Sequence, residues 1–261
     1  MASPSAAWHW RNNPSAAPVS PLGRPFTIAV PPDTDIWRPS RHKNTFTAPF
    51  LYTTVKASRF RSARVTVSAA WKTLYDQGGI LISFRGHPRA PNPSSSSPTL
   101  TPSLWTSAGP DHASAGIDQG IRFIKAGIEF FEGEAHLGVV GSDRLSDWSL
   151  APISPGPHPD DNHQHHNSNN RPSAHDDAGG ARTVAATIMV SRDGPDGWVF
   201  ALDGPEGRRR ALRQLTWAFQ DGLEDVEIDV GIYGAKPTRE GRGHEHEGIA
   251  VSFLGFALEV E

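Results

Sequence analysis

Cysteine is absent from all 261 residues. That excludes disulfides, a thiolate nucleophile, and zinc or iron–sulfur centres built on sulfur, so any metal would have to be held by nitrogen and oxygen. No apolar stretch reaches the length of about 18 residues that a membrane-spanning helix needs. The opening stretch MASPSAAWHWRNNPSAAPVSP also lacks the apolar centre of a secretory signal. A cytoplasmic chain without a membrane partner is the expectation. A basic excess is missing too, since Lys plus Arg is 25 against Asp plus Glu 28, a net charge of −3. Duplex-binding domains are usually basic, so no nucleic-acid partner is expected. Glycine-rich dinucleotide and phosphate loops, a G-x-S-x-G elbow and a helical H-E-x-x-H are all lacking. No cofactor and no metal are expected.

Glycine and proline are plentiful instead, at 25 and 23 residues, well above their usual combined share of about 12%. They cost about 1 and 3 kcal/mol in a helix interior but suit turns. The composition therefore points to an all-β chain. Runs such as FTIAV (26–30), RVTVSAAW (64–71), GILISF (79–84), IRFIKAGIEFFEG (121–133), TVAATIMVS (183–191) and DVEIDVGIYG (225–234) have strand lengths, β-branched residues and turn punctuation. Only RRRALRQLTWAF (208–219) also reads as a helix. Residues 86–116 and 151–180 break the rhythm, being rich in Pro, Ser, Asn, Asp and His and too polar to repay ordering. The expected organisation is a flexible N-terminal arm, 1–21, whose Trp8 and Trp10 dock on the body, and a single β-sandwich domain, 22–261, with loop insertions at 86–116 and 151–180.

LYDQGGILISF (74–84) and IKAGIEFFEGEAHLGVVGSDRLSDWSL (124–150) stand in order between FTIAVPPDTDIWRP (26–39), with its Asp-x-Trp, and VGIYGAKP (230–237) followed by FLGFALEV (253–260). In this arrangement the chain resembles an uncharacterised fungal-type member of the regulation-of-enolase-like family of concanavalin-A-like lectin/glucanase domains. The resemblance implies a jelly-roll sandwich of two antiparallel sheets, with a concave face that in lectins and glucanases receives carbohydrate. It also implies a cytoplasmic setting and no common reaction.

Strand alternation sorts the strongest segment. Phe123, Lys125, Gly127 and Glu129 share one face, and Ile124, Ala126, Ile128 and Phe130 form the apolar row that belongs to the core. Lys125 and Glu129 then lie about 13 Å apart along the strand, too far for a direct pair and suited to opposite ends of a groove. Asp76 and Gln77 precede a strand, where they either close a turn or bond to sugar hydroxyls. Asp147 and Trp148 form a second compact cluster, in which Trp148 either packs in the core or offers an apolar platform to a ring. The candidate ligand-binding set is Asp76, Gln77, Lys125, Glu129, Asp147 and Trp148, and no catalytic residue is assigned.

Other polar motifs carry less. Glu227 and Asp229 imitate part of an E-x-D-x-E glucanase pattern, but its third acid is replaced by Gly231. The tract with His158, His163, His165, His166 and His175 has metal-ligating side chains and no apolar support to hold them. His244 and His246 in GRGHEHEG fit a charged hairpin loop. Three functions follow: recognition of a sugar or glycan on the concave face, sugar-directed catalysis by paired carboxylates including Glu129, or an intracellular regulatory module that binds a protein through an exposed apolar patch near Trp8, Trp10 or Trp105. A carbohydrate ligand and an intracellular protein are the partner classes left open.

Overall fold

The computed structural model describes residues 7–13, 17, 19–40, 42–86, 122–153, 183–204, 206–223 and 225–261. Their strands form two antiparallel sheets packed face to face, the two-sheet sandwich expected. The seven-stranded sheet runs, edge to edge, through β1 (His9–Arg11), β5 (Phe50–Lys56), β14 (Glu227–Ala235), β7 (Gln77–Phe84), β8 (Arg122–Phe131), β9 (Glu134–Ser142) and β10 (Ser146–Pro152). The six-stranded sheet runs through β13 (Arg208–Leu215), β12 (Asp196–Asp203), β11 (Val184–Asp193), β6 (Phe60–Ala69), β15 (Ile249–Val260) and β2 (Phe26–Val30). A two-stranded hairpin, β3 (Ile36–Ser40) with β4 (Lys43–Phe46), is a third unit.

Alternation explains the layers. In β6, Ala63, Val65 and Val67 turn inward while Arg64 stays exposed, and in β8 Ile124, Ala126 and Ile128 turn inward as the parity requires. These rows meet Ile80, Ile82, Val230 and Val251 in the main core between the sheets. Strands β7 and β8 are buried on both faces because the other face is covered as well. There Leu81, Phe123, Val140 and Phe50 form a second apolar cluster with Ile36, Phe46 and Trp37 of the hairpin. The hairpin therefore packs across the outer face of the seven-stranded sheet.

Arg208–Leu215 is an edge strand and not the helix that its composition also allowed. Its backbone pairs with β12 from Gly197 to Asp203, with a bulge at Val199/Phe200, and this ladder outweighs the good helix propensity of Arg, Ala and Leu. Part of the stretch 1–21, expected as a flexible arm, is built into the sandwich: Trp8 is buried edge-on to Phe256, and His9–Arg11 pair with β5. Burial of the indole supplies the apolar area that holds this segment. Of the two expected insertions, only Gly86 and Ala151–Ile153 are among the described residues, and Ala151 and Pro152 still belong to β10. Pro152 is tolerated because β10 is an edge strand. Trp105 and the His158–His175 tract lie outside the described residues. Among the described residues no helix is long and apolar enough to cross a membrane.

Candidate functional site

A row of glycines shapes the outer face of the seven-stranded sheet. Gly79 of β7 lies opposite Gly127 of β8, which lies opposite Gly138 of β9. On one side of this row Gln77 pairs in register with Glu129; on the other, Leu81, Lys125, Val140 and Trp148 stand side by side across four strands. With no side chains between the two rows, the polar groups converge above the glycines. Lys125 Nζ donates to Gln77 Oε1 at 2.6 Å, the same oxygen that accepts from the Tyr233 hydroxyl at 3.4 Å. The long Lys125 side chain thus reaches the neighbour of Glu129. The groove with Lys125 and Glu129 at opposite ends is in fact one pocket, because Gly127 leaves the space between them vacant.

The pocket is a cavity of about 200 Å³ lined by Asp35, Trp37, Tyr75, Gln77, Lys125, Glu129, Val140, Trp148 and Pro237. Asp35 Oδ1 accepts from the Ile36 N–H at 2.7 Å and lies 3.7 Å from Lys125 Nζ. Glu129 Oε2 accepts from the Trp148 indole N–H at 3.0 Å. Lys125 Nζ also lies 6.0 Å from the centroid of the Trp37 ring. Burial pushes the Glu129 carboxyl above the usual carboxylate range, with Asp35 adding to the rise, while the Lys125 charge and the Trp148 N–H oppose it. Burial likewise raises the Tyr233 phenol well above its ordinary value.

The raised Glu129 carboxyl gives a testable sign. Its ionised form costs stability; the cost is absent below the ordinary carboxylate value, grows as pH rises toward the higher folded-state value, and is complete above it. Glu129→Gln should therefore melt a few degrees above the wild type at neutral pH, and the gain should vanish in acid. Thermal melts of both proteins across this range check it; parallel curves would contradict the raised carboxyl.

The walls depend on one turn. Tyr75 has a left-handed backbone, φ 67°, an uncommon conformation for a bulky residue. It is held there because Asp76 Oδ2 accepts from the Thr73 N–H at 3.0 Å and the Lys72 N–H at 3.3 Å, and because the Tyr75 N–H donates to the Phe130 carbonyl at 2.8 Å. Tyr75 consequently stacks on Phe131, and both rings meet Trp148 edge-on. Asp76 Oδ1 accepts from Lys236 Nζ at 3.1 Å, and both side chains are fully shielded from solvent. Lys236 Nζ also donates to Thr73 Oγ1 at 2.8 Å and lies 3.3 Å from Glu240. This pair ties the Tyr75 turn to the chain that carries Pro237, a second lining residue of the cavity.

Gln77, Lys125, Glu129 and Trp148 from the sequence-derived set meet in the cavity, whereas Asp76 and Asp147 do not line it. Asp76 sits beneath the wall in the buried ion pair. Asp147 points to the side of β10 opposite Trp148 and binds Arg213 of the other sheet, an exposed contact. Asp35, Trp37, Tyr75 and Pro237 were not in that set. Asp35 and Trp37 are the Asp-x-Trp pair already visible in 26–39. Glu227 and Asp229 are both bound by Arg85, with Thr54 Oγ1 also donating to Asp229 at 2.7 Å. His244 is exposed and pairs with Glu247, as expected of a charged loop, but that loop joins β14 to β15 in the other sheet and is therefore a crossover, not the expected hairpin. Trp8 is buried and Trp10 half-buried against Phe26, so neither supplies an exposed apolar patch. Among the described residues no group of His, Asp and Glu has a metal-holding arrangement.

Residues 10–164 match the model of a family described as a protein of unknown function, DUF1349. An uncharacterised protein of Emericella nidulans is 28% identical over 237 residues, covering 90% of this chain and 86% of the relative. A solved structure of a functionally unknown protein from Saccharomyces cerevisiae aligns over 98% of this chain and 97% of its own, with 20% identity and a TM-score of 0.59, a likeness in fold. A pseudo beta-1,3-glucanase of Mycobacterium tuberculosis aligns over 98% of this chain and 91% of its own with 9% identity and a TM-score of 0.42.

Proposed function

We propose, for a chain that belongs to the DUF1349 family, that the cavity on the seven-stranded sheet is a saccharide-binding site. The observation that carries this reading is the convergence of Lys125, Gln77, Asp35 and Glu129 between the aromatic walls of Trp37, Tyr75 and Trp148. Such a combination suits a sugar: ring hydroxyls both donate and accept, and the apolar faces of the ring favour aromatic surfaces. Each carboxyl has one oxygen engaged with a protein N–H and can offer the other to a hydroxyl. Lys125 gives donors, and Gln77 gives an amide whose oxygen is already fixed by Lys125 and Tyr233.

We propose further that the chain is a regulation-of-enolase-like member of the family acting in the cytoplasm. A second reading, glycoside hydrolysis, is favoured by one observation: Asp35 and Glu129 face the same cavity, and the Glu129 carboxyl is held above its ordinary range, as a general acid requires.

Titration calorimetry against a panel of monosaccharides and oligosaccharides tests the proposal. Lys125→Met and Trp148→Ala should each weaken binding by about tenfold or more. Binding by neither wild type nor variants to any saccharide would overturn it. Release of reducing sugar by the wild type, lost in Glu129→Gln, would move the reading to hydrolysis.

A further inference from the structure

We infer that the site accepts a single sugar ring, either free or at the end of a glycan, and excludes the interior of a polysaccharide. This rests on the saccharide reading above and concerns the shape of the ligand. An open sheet face would let an extended chain lie across all the strands. Here the β3–β4 hairpin blocks that course. Its Ile36 and Phe46 pack on Phe50, Leu81, Phe123 and Val140, filling the sheet face beside the cavity with apolar side chains.

The hairpin is fastened at both ends of its span. Asn12 Nδ2 donates to the Phe46 and Ala48 carbonyls at 2.9 and 3.0 Å, which ties it to the segment after β1. The Arg38 N–H donates to Ser146 Oγ at 2.8 Å, which ties it to β10 at the opposite edge of the sheet. A strap held on both edges and packed on an apolar cluster is a fixed wall. Beyond it Asp229 is occupied by Arg85 and Thr54, so among the described residues this carboxylate does not continue the cavity as a free polar subsite.

The other rim is closed by Tyr75 and Pro237, which the buried Asp76–Lys236 pair holds together. Trp148, packed with Tyr75 and Phe131, bounds the β10 side. The polar groups stand at the bottom of this pit, where they reach hydroxyls on one ring. A cavity of about 200 Å³ is small beside ordinary ligand pockets of about 300–1,000 Å³. An internal residue of a polymer needs an exit on two sides of the site; a terminal residue needs one.

The test uses the full chain with monosaccharides, their linear oligosaccharides, and the pair maltoheptaose and β-cyclodextrin, which carry the same rings with and without chain ends. Calorimetry should give linear oligosaccharides affinities within about threefold of the matching monosaccharide. Saturation-transfer NMR should label the protons of one terminal ring, and a cyclic glucan should bind at least about tenfold more weakly than its linear counterpart. Affinity that climbs with each added ring, label spread over internal rings, or equal binding of the cyclic glucan would overturn the single-ring inference while leaving saccharide binding intact. Silence of every sugar would overturn the saccharide reading itself, and the inference with it.

Discussion

Asp76→Ala should lower the unfolding free energy by about 3–5 kcal/mol, the range for breaking a buried ion pair from one side. The carboxylate and the Lys236 ammonium are both cut off from solvent. Burial raises the Asp76 carboxyl above its ordinary range despite four opposing contributions, from the Thr73 and Lys72 N–H groups and from the charge and hydrogen bond of Lys236. Desolvation thus wins for the carboxyl alone, and the pair as a whole is not a large net gain. Removing one partner is different. It leaves Lys236 with only Thr73 Oγ1 and Glu240, and it frees the two turn N–H groups that Asp76 satisfies. Urea unfolding should give Lys236→Met a comparable loss. The double variant Asp76→Ala with Lys236→Met should cost clearly less than the sum of the singles, because the second change removes the charge that the first stranded. Additive losses, or a single-variant cost under about 1 kcal/mol, would refute this account of the pair.

Gly127→Ala should be destabilising by at least about 3 kcal/mol, and Gly138→Ala should instead spare the fold and spoil the site. The two glycines are adjacent in the same row, but their methyl groups would meet different neighbours. At Gly127 a Cβ would stand 1.9 Å from the Gly78 carbonyl oxygen and 2.8 Å from Gly79 Cα. These are backbone atoms of a central strand, buried on both faces, and they have nowhere to move without parting β7 from β8. At Gly138 a Cβ would stand 2.9 Å from Glu129 Oε2 and 3.0 Å from Glu129 Cβ. The carboxyl oxygen can rotate away, at the cost of the Trp148 hydrogen bond and of its place in the cavity, and the contact with Glu129 Cβ needs a shift of only a few tenths of an ångström. Circular dichroism melts and saccharide titration together separate the outcomes. Equal stability of the two variants, or undiminished binding by Gly138→Ala, would contradict them.

These contrasts mark how far the sequence could be read. Period-two alternation assigned Ile124, Ala126 and Ile128 to the core and Lys125 and Glu129 to the open face, and the sheet obeys it. The same rule, applied within the pair Asp147–Trp148, would have separated the acid from its neighbour. Asp147 and Trp148 face opposite ways as neighbours within β10, Asp76 belongs to the turn just ahead of β7, and only Gln77 and Trp148 reach the cavity. The convergence of Lys125 with Gln77 depended on strand register, which places Gly79, Gly127 and Gly138 in one row and is not written in any single segment. Tyr75 and Pro237 were out of reach for a different reason. Their approach is set by a buried ion pair between residues 76 and 236, a contact across most of the chain. Asp35 and Trp37 were legible as a motif, but their role required knowing that the hairpin folds over the sheet.

Strand β2 has one ladder partner, β15, with Phe26 set against Phe253 and Val30 against Ile249. During synthesis β2 emerges from the ribosome long before that partner exists. Strand β6, which β15 also joins, waits equally on that side. The six-stranded sheet is therefore completed only when its last-made strand inserts between β6 and β2, and the pocket-bearing sheet cannot bury its inner face against a finished layer until then. Contacts so distant in sequence make for slow folding and a long exposure of unpaired strand edges. Newly made chains are thus expected to depend on holding factors in the cell, a requirement imposed by strand order and separate from anything the finished cavity does.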